Sequence, residues 1–313
     1  MEEVSLQTQL FAADPEPTVT AKERAREADR VYLGDNLEVL QKLPSDHFQM
    51  VYVDPPFNTG KVQKRISIKT VRDAAGDRTG FKGARYSSEV QSAHQYWDIH
   101  EDYLGFLEAR LLEARRVLHP TGTMYLHLDY REVHYAKVLM DEIFGRENFL
   151  NEIIWAYDYG ARSTKKWPAK HDNILVYVRD VDRYLFDESE VDREPYMAPG
   201  LVTPEKAARG KLPTDVWWHT IVSPTGREKT GYPTQKPLGI LRRMITASTR
   251  PGDWVLDFFA GSGSTGHAAR ELGRHFVLVD NSPVALDIMR ERLGADNTAY
   301  ETVPGTEPGQ PES

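Results

Sequence analysis

Residues Val255-Leu256-Asp257-Phe258-Phe259-Ala260-Gly261-Ser262-Gly263-Ser264-Thr265-Gly266 read as an apolar strand that runs into a glycine-rich turn and then a helix. A buried strand feeding a helix commits a chain to a layered α/β architecture. Glycines let a ligand approach the backbone, and the helix that follows offers free N–H groups at its start. The unit sits late in the 313-residue chain, so strands that precede it in sequence must complete its sheet. Short β-type runs at 31–33, 50–53, 123–128, 152–155, 174–179, 254–258 and 275–279 supply them. Helices are expected near 36–43, 101–118, 131–144, 237–249, 264–272 and 283–293. The clearest is 101–118, where Leu104, Leu107, Leu111, Leu112 and Leu118 recur at helical spacing before His119-Pro120-Thr121-Gly122 stops the pattern. This alternation predicts an α/β fold with a mainly parallel sheet and helices on both faces.

A second strand-end motif is Val51-Tyr52-Val53-Asp54-Pro55-Pro56-Phe57. Prolines restrict the turn and leave neighbouring carbonyls free as acceptors at the strand's carboxyl end, where open α/β sheets place their ligands. The chemistry that such a cluster suits is activation of an exocyclic amine on a nucleobase, whose lone pair is delocalised into the ring. The Asp54 carboxylate and the Pro55 carbonyl would draw on its hydrogens, and Phe57 would stack on a base rotated out of the duplex. An acid and prolines also occur at ordinary strand-ending turns. Asp280 ends the strand after the glycine turn and is placed to bind the two hydroxyls of a ribose.

Gly261, Gly263 and Gly266 also satisfy the G-x-G-x-x-G spacing of dinucleotide-binding proteins, so a nicotinamide-dependent oxidoreductase is a rival reading. That reading gives no reason for Asp-Pro-Pro-Phe or for the basic segments. These segments, 61–85, 162–171 and 206–229, stand out in a chain whose formal net charge is −8. An acidic total is awkward for a partner bound through phosphates, but clustering of the cations outweighs the sum. A non-catalytic DNA-binding protein would need the basic segments and neither strand-end motif. The chain has no cysteine, which excludes disulfides, cysteine–metal clusters and thiolate attack of the kind that C5 methylation of cytosine requires. No metal is expected. No secretory start and no apolar run of about 18 residues is present, so a cytoplasmic protein without membrane contact is expected.

In joint order, these segments make the chain resemble the permuted, β-class DNA amino-methyltransferases of bacterial restriction-modification systems and their orphan relatives. The resemblance covers most of 31–293. Asp54-Pro55-Pro56-Phe57 matches the catalytic tetrapeptide, and Phe259-Ala260-Gly261-Ser262-Gly263, after Asp257, matches the S-adenosylmethionine loop. Tyr232-Pro233-Thr234-Gln235-Lys236-Pro237 resembles the segment that helps hold the methionine end, through Thr234 and Lys236. Asp35 resembles the acid that contacts the cofactor's adenine amine, and Asp280 the ribose acid. Leu126-His127-Leu128-Asp129 fits a strand segment of the family.

The resemblance implies a Rossmann-like S-adenosylmethionine-dependent methyltransferase fold in circularly permuted motif order. It implies methylation of the N6 amine of adenine, because Asp is the commoner first residue of the tetrapeptide in those enzymes. Cytosine N4 is the alternative with the same mechanism. The expected partner is double-stranded DNA with its target base flipped out, and a homodimer and a cognate restriction endonuclease are compatible with the family. The expected division is a flexible tail at 1–28, a catalytic half at 29–155 containing a mobile basic loop at 58–96, and a target-recognition region at 156–230. A cofactor half at 231–297 and a disordered tail at 298–313 follow. Lys61, Arg65, Arg162, Lys165 and Lys166 are the candidate DNA contacts, with Trp167, Trp217 and Trp218 as stacking or packing residues.

Overall fold

The computed structural model describes residues 28–57, 61–72, 78–79, 85–98, 102–160, 162–223, 226 and 228–303, with backbone alone between 61 and 98. The tail expected at 1–28 lies outside the described residues except for its last position. In chain order the elements are β1 (Asp29–Leu33), α1 (Asn36–Leu40), β2 (Phe48–Val53), β3 (Lys61–Arg72), β4 (Arg78–Thr79), β5 (Arg85–Asp98), α2 (Tyr103–Val117) and β6 (Leu118–Leu128). Then come α3 (Val133–Phe144), β7 (Phe149–Ala156), β8 (His171–Val178), α4 (Pro204–Arg209), β9 (Val216–Trp218) and α5 (Leu238–Ser248). β10 (Trp254–Asp257), α6 (Ser264–Glu271), β11 (His275–Asp280), α7 (Pro283–Leu293) and β12 (Thr298–Thr302) complete the chain.

Nine strands form one sheet in the order β12-β1-β11-β10-β2-β6-β8-β7-β9. β8 pairs antiparallel with both neighbours, β6 and β7, and every other pairing in this sheet is parallel. Side chains alternate across a strand, so each central strand feeds two cores. Val51, Val53 and Leu256 pack with Leu107 and Leu111 of α2 and Met140 of α3. Met50, Tyr52 and Val255 pack on the other face with Leu241 and Met244 of α5, Ala268 and Ala269 of α6 and Met289 of α7. Burial on both faces explains why β2 is apolar at nearly every position.

β10 and β2 are adjacent in the middle of the sheet, but their connections leave towards opposite faces. α6 follows β10 on one side, and α2 follows β2 on the other. This is the topological switch point at which open α/β sheets bind ligands, outside the carboxyl ends of the strands. The glycine turn after β10 and the Asp54–Phe57 turn after β2 flank it.

Three expected boundaries are corrected. Segment 58–96, read as a mobile loop, carries the antiparallel pair β3–β5, with β4 added beside β5. Its charges hid Val62, Ile66 and Ile68 at even spacing among polar residues, a weak period-two pattern that suits a hairpin rather than a core strand. Segment 156–230 is not a separate region, because β8 lies inside the main sheet between β6 and β7, and β9 extends the edge beyond β7. Residues 298–302, read as disordered from their composition, form edge strand β12 paired with β1. Pairing with a strand at the far end of the sequence supplies its order, together with burial of Val303. The rest of the C-terminal tail lies outside the described residues.

Candidate active site

The glycine turn is built by Asp257. This carboxylate is almost fully buried at the end of β10, where Oδ1 accepts the Phe259 N–H at 3.0 Å and Oδ2 accepts the Thr265 hydroxyl at 2.6 Å. Burial raises its pKa to about 7, against the pull of those two donors and with the help of Asp54 and Asp280. Asp257 was expected to bind cofactor, but both its oxygens are spent inside the turn, so it acts by shaping the loop. Ser262 is similarly turned inward, to the Ser264 hydroxyl and to Arg292. Of Ser262, the backbone is what a ligand could use. Gly261 has φ +50°, and a Cβ there would come within 2.9 Å of the Tyr232 ring, so only glycine lets the loop pass beneath that aromatic.

Asp280, at the end of β11, stands beside this turn. Its Oδ2 accepts the Gly261 N–H at 2.8 Å and its Oδ1 the Ser282 N–H at 2.9 Å. Burial raises its pKa although those N–H groups oppose the shift. A partly exposed carboxylate with lone pairs left over fits a vicinal diol. Gly34 N–H donates to the Asp280 carbonyl at 3.0 Å, which joins the end of β1 to the same place. Asp35 caps α1 through Oδ1, on the N–H groups of Leu37 and Glu38, and pairs with Arg110 through Oδ2 at 3.0 Å. Arg110 also donates to Asn36 at 2.6 Å and lies 3.9 Å over the Phe106 ring, while Asn36 donates to the Phe258 carbonyl. A predicted cofactor acid is thus also the anchor of a network tying α1, α2 and the glycine turn together. Phe259 is half-buried, with the Phe106 ring 6.0 Å away, and Ala260 is buried. Phe106, Phe259 and Tyr232 offer apolar surface, Asp280 and Asp35 offer carboxylates, and the turn offers N–H groups. This donor and acceptor set fits a nucleoside with a ribose diol.

Across the switch point, Asp54 leaves the end of β2 with its side chain 14% exposed. Lys236 Nζ donates to Oδ2 and sits 5.4 Å over the Phe57 ring. The other oxygen, Oδ1, is buried and has no hydrogen-bond partner among the described residues. Tyr103 donates to the Pro56 carbonyl at 2.7 Å and so fixes the prolyl turn from α2. Pro55 is buried and Phe57 partly so. Lys236 therefore contacts the Asp54–Phe57 turn directly. Thr234 is exposed, with its carbonyl 3.5 Å from the Lys236 ammonium. Gln235 was not singled out, yet it braces this segment by accepting from Thr230 and donating to the Glu228 carbonyl at 2.7 Å.

Behind Asp54 is a group of buried polar residues that motif reading left mostly unassigned. His127 is fully buried, 2.8 Å from the Tyr52 hydroxyl through Nδ1 and 3.3 Å from Asp172 through Nε2. Asp172 also accepts the Tyr157 hydroxyl at 3.0 Å. Tyr52 precedes Asp54 in the strand-end motif and Asp172 stands in an apolar strand without one; pairing of β2 with β6 and of β6 with β8 brings both to His127. Asp129 is engaged by Arg131, two residues on, and is structural.

Of the candidate DNA contacts, Arg162, Lys165 and Lys166 are exposed in the loop that follows β7, on the pole of the sheet that carries Asp54. Lys166 Nζ lies 5.8 Å over the Tyr130 ring. Lys61 and Arg65 are on β3, and their side chains lie outside the described residues. The tryptophans divide: Trp217 is buried and belongs to the core, whereas Trp218 is 76% and Trp167 95% exposed.

An open, mainly parallel sheet with a glycine turn, Asp280 and an Asp-Pro-Pro-Phe turn around one switch point has the arrangement of an α/β enzyme that binds a nucleoside-type ligand. The chain belongs to the DNA methylase family whose members modify N6 or N4 amines with S-adenosylmethionine as methyl donor, and its model matches residues 48–291. The chain is 25% identical over 276 residues to the type II methyltransferase M.HpaI of Haemophilus parainfluenzae, covering 88% of this chain and 77% of that one. To the DNA adenine methyltransferase YhdJ of Escherichia coli K12 it is 29% identical over 263 residues, covering 81% and 79%. The fold is similar to that of the M1.HpyAVI–SAM complex, with a TM-score of 0.54 at 21% identity over 85% of this chain and 99% of that one. It is similar also to the PvuII cytosine-N4-specific DNA methyltransferase, with a TM-score of 0.54 at 15% identity over 88% and 95%. Among the described residues, no helix is long and apolar enough to cross a membrane.

Proposed function

We propose that this chain methylates the N6 amine of adenine in double-stranded DNA, on a target base rotated out of the helix into the cleft beside Asp54. The observation that carries the reading is Asp54 Oδ1, a buried carboxylate oxygen without a partner among the described residues, at the end of β2. Such an oxygen costs free energy until a donor arrives, and an amine hydrogen is such a donor. Lys236 occupies Oδ2, so Oδ1 is the acceptor of this carboxylate that is still unspent and that the amine would reach as the base settles against the turn. The Pro55 carbonyl takes the second amine hydrogen, the nitrogen becomes more tetrahedral, and its lone pair is freed. Tyr103 holds the turn that carries this carbonyl. Phe57 supports the face of the base.

S-adenosylmethionine, when bound, supplies a methyl group already activated on a sulfonium. The chain's own contribution is therefore position and acceptor electrostatics. Asp280 binds the ribose hydroxyls, the backbone from Phe259 to Gly263 takes the rest of the nucleoside, and Thr234, Lys236 and Asp35 border the cofactor. The exposed Arg162, Lys165, Lys166, Trp167 and Trp218 bind phosphates and bases around the target. The segments flanking β8, together with Lys61 and Arg65 on β3, read the recognition sequence. The reading takes the chain as one of the permuted class, supported by the position of the strands carrying Asp257 and Asp280 after the Asp54 strand in sequence and beside it in the sheet. A homodimer and a cognate endonuclease belong to the same reading. Preference for adenine rests on Asp at the first position of the tetrapeptide and on the likeness to an enzyme named as a DNA adenine methyltransferase.

The test is incubation of the purified protein with unmethylated genomic DNA and methyl-labelled S-adenosylmethionine, followed by digestion and nucleoside mass spectrometry. Label is expected in N6-methyladenine and is lost in Asp54→Ala, with cofactor affinity retained. Label in N4-methylcytosine keeps the chemistry and overturns the target. Binding of cofactor without transfer to either base overturns the function.

A further inference from the structure

A tryptophan carries the largest apolar surface of any side chain, so one that its own loop holds out in water needs a reason. Trp167 is 95% exposed, and among the described residues no aromatic side chain is more so. Its loop is not slack. The Ser163 hydroxyl oxygen accepts the Lys165 and Lys166 N–H groups, each at 3.1 Å, and makes a local turn. Pro168 confines Trp167 itself to an extended backbone. Lys166 Nζ lies 5.8 Å over the Tyr130 ring, in the turn after β6, and the Tyr157 N–H donates to the Lys170 carbonyl at 2.9 Å, which closes the foot of the loop.

That foot stands beside the cleft. The Tyr157 hydroxyl donates to Asp172 at 3.0 Å, Asp172 lies 3.3 Å from His127, and His127 lies 3.9 Å from Asp54. Trp167 is three residues from Lys170, at most about 11 Å along the chain. Arg162, Lys165 and Lys166 are exposed around it and suit the phosphates of a duplex laid over the cleft.

Exposure so nearly complete also excludes one role. A ring forming a wall of the base cleft would be shielded by the other walls, as the partly buried Phe57 is. Trp218 is exposed too, but it alternates on β9 with Trp217, which shares a sheet face with Tyr52. It therefore points away from the face on which the start of α5 brings Lys236 to Asp54. Only a surface standing off the protein can cover the Trp167 indole, and a duplex held by the neighbouring cations is such a surface. Rotating a base out of that duplex leaves a gap with apolar faces above and below, which a flat apolar side chain fills.

We propose that Trp167 is the wedge that enters the duplex and stacks in the gap left by the target base. The inference rests on the proposed reaction. The ring takes no part in methyl transfer. It raises the fraction of bound DNA in which the base already stands out of the stack, within reach of Asp54.

Two duplexes separate a wedge from a plain DNA contact. Both carry the recognition sequence read from the sites that the wild type methylates in genomic DNA. In one the target base is paired, and in the other it faces an abasic sugar, so that no pairing holds it in the stack. At saturating protein, Trp167→Ala should slow single-turnover methyl transfer to the paired duplex roughly tenfold. On the abasic duplex the variant should come within threefold of wild type, because the step that the wedge assists is already eased. Trp167→Phe keeps a flat ring and should recover most of the loss on the paired duplex. S-adenosylmethionine affinity and thermal unfolding should match wild type in both variants, since the indole covers little of the protein. Transfer by Trp167→Ala to the paired duplex within threefold of wild type overturns the inference. So does an equal loss on the two duplexes, which marks a residue that binds DNA without opening it. Failure of the wild type to methylate DNA overturns instead the function on which the inference rests.

Discussion

Replacing Asp257 by Asn tests whether the cofactor turn is built around a carboxylate that its surroundings disfavour. Burial raises this group from 3.8 to about 7 in the folded chain. A raised carboxyl contributes stability that is fully present below the unfolded value and is lost as pH rises through the folded one. Between these limits the folded state holds a proton that the unfolded state has released. Three units at about 1.4 kcal/mol each make the ionised, buried form cost about 4 kcal/mol above pH 7. Asn is neutral at every pH and keeps its oxygen on the Phe259 N–H. Its NH₂ meets Thr265, whose hydroxyl must reverse and lose an acceptor, at a cost of about 1 kcal/mol. The variant should therefore be about 1 kcal/mol less stable than the wild type near pH 4 and about 3 kcal/mol more stable near pH 8. Urea unfolding of the cofactor-free protein at half-unit pH intervals measures this difference, provided the m values match. A difference that does not change with pH, or that stays destabilising at pH 8, refutes the reasoning.

Other expectations follow from single contacts. Tyr103→Phe removes the donor to the Pro56 carbonyl and should slow methyl transfer roughly tenfold while costing about 1 kcal/mol of stability, read from initial rates and denaturant midpoints. Gly261→Ala places a Cβ against Tyr232 at a positive φ, so it should cost about 1–2 kcal/mol and weaken cofactor binding in titration calorimetry by more than it slows turnover at saturation. Arg110→Met leaves Asp35 and Asn36 without their shared donor and should destabilise the fold by about 2–3 kcal/mol, with loss of cofactor affinity.

Motifs were legible where chemistry requires particular residues next to one another in sequence. Asp54-Pro55-Pro56-Phe57 and the Phe259–Gly263 loop each combine a strand end with a turn of restricted backbone, and a turn is a local object. The six helices expected from periodicity are present, because a helix buried along one stripe must repeat its apolar residues at a fixed interval. β12 and the β3–β5 pair escaped for the opposite reason. An edge strand and a charge-rich hairpin take their order from pairing partners, and their composition looks like that of a loop.

By itself the sequence determined the layered class, the two strand-end motifs and the absence of any thiol chemistry, since each depends on residues adjacent along the chain or on a residue type that is absent. Tertiary structure decided the roles of particular side chains. Asp257 and Ser262 lie within the cofactor motif yet turn inward to build it, whereas Lys236, far from Asp54 in sequence, sits on its carboxylate. His127 gains its partners only when β6 pairs with β8 and brings Asp172 against one ring nitrogen, while β2 brings Tyr52 against the other. Hydrogen bonds reach about 3 Å, and which residues come that close across a sheet is fixed by strand order and register, which no local pattern encodes.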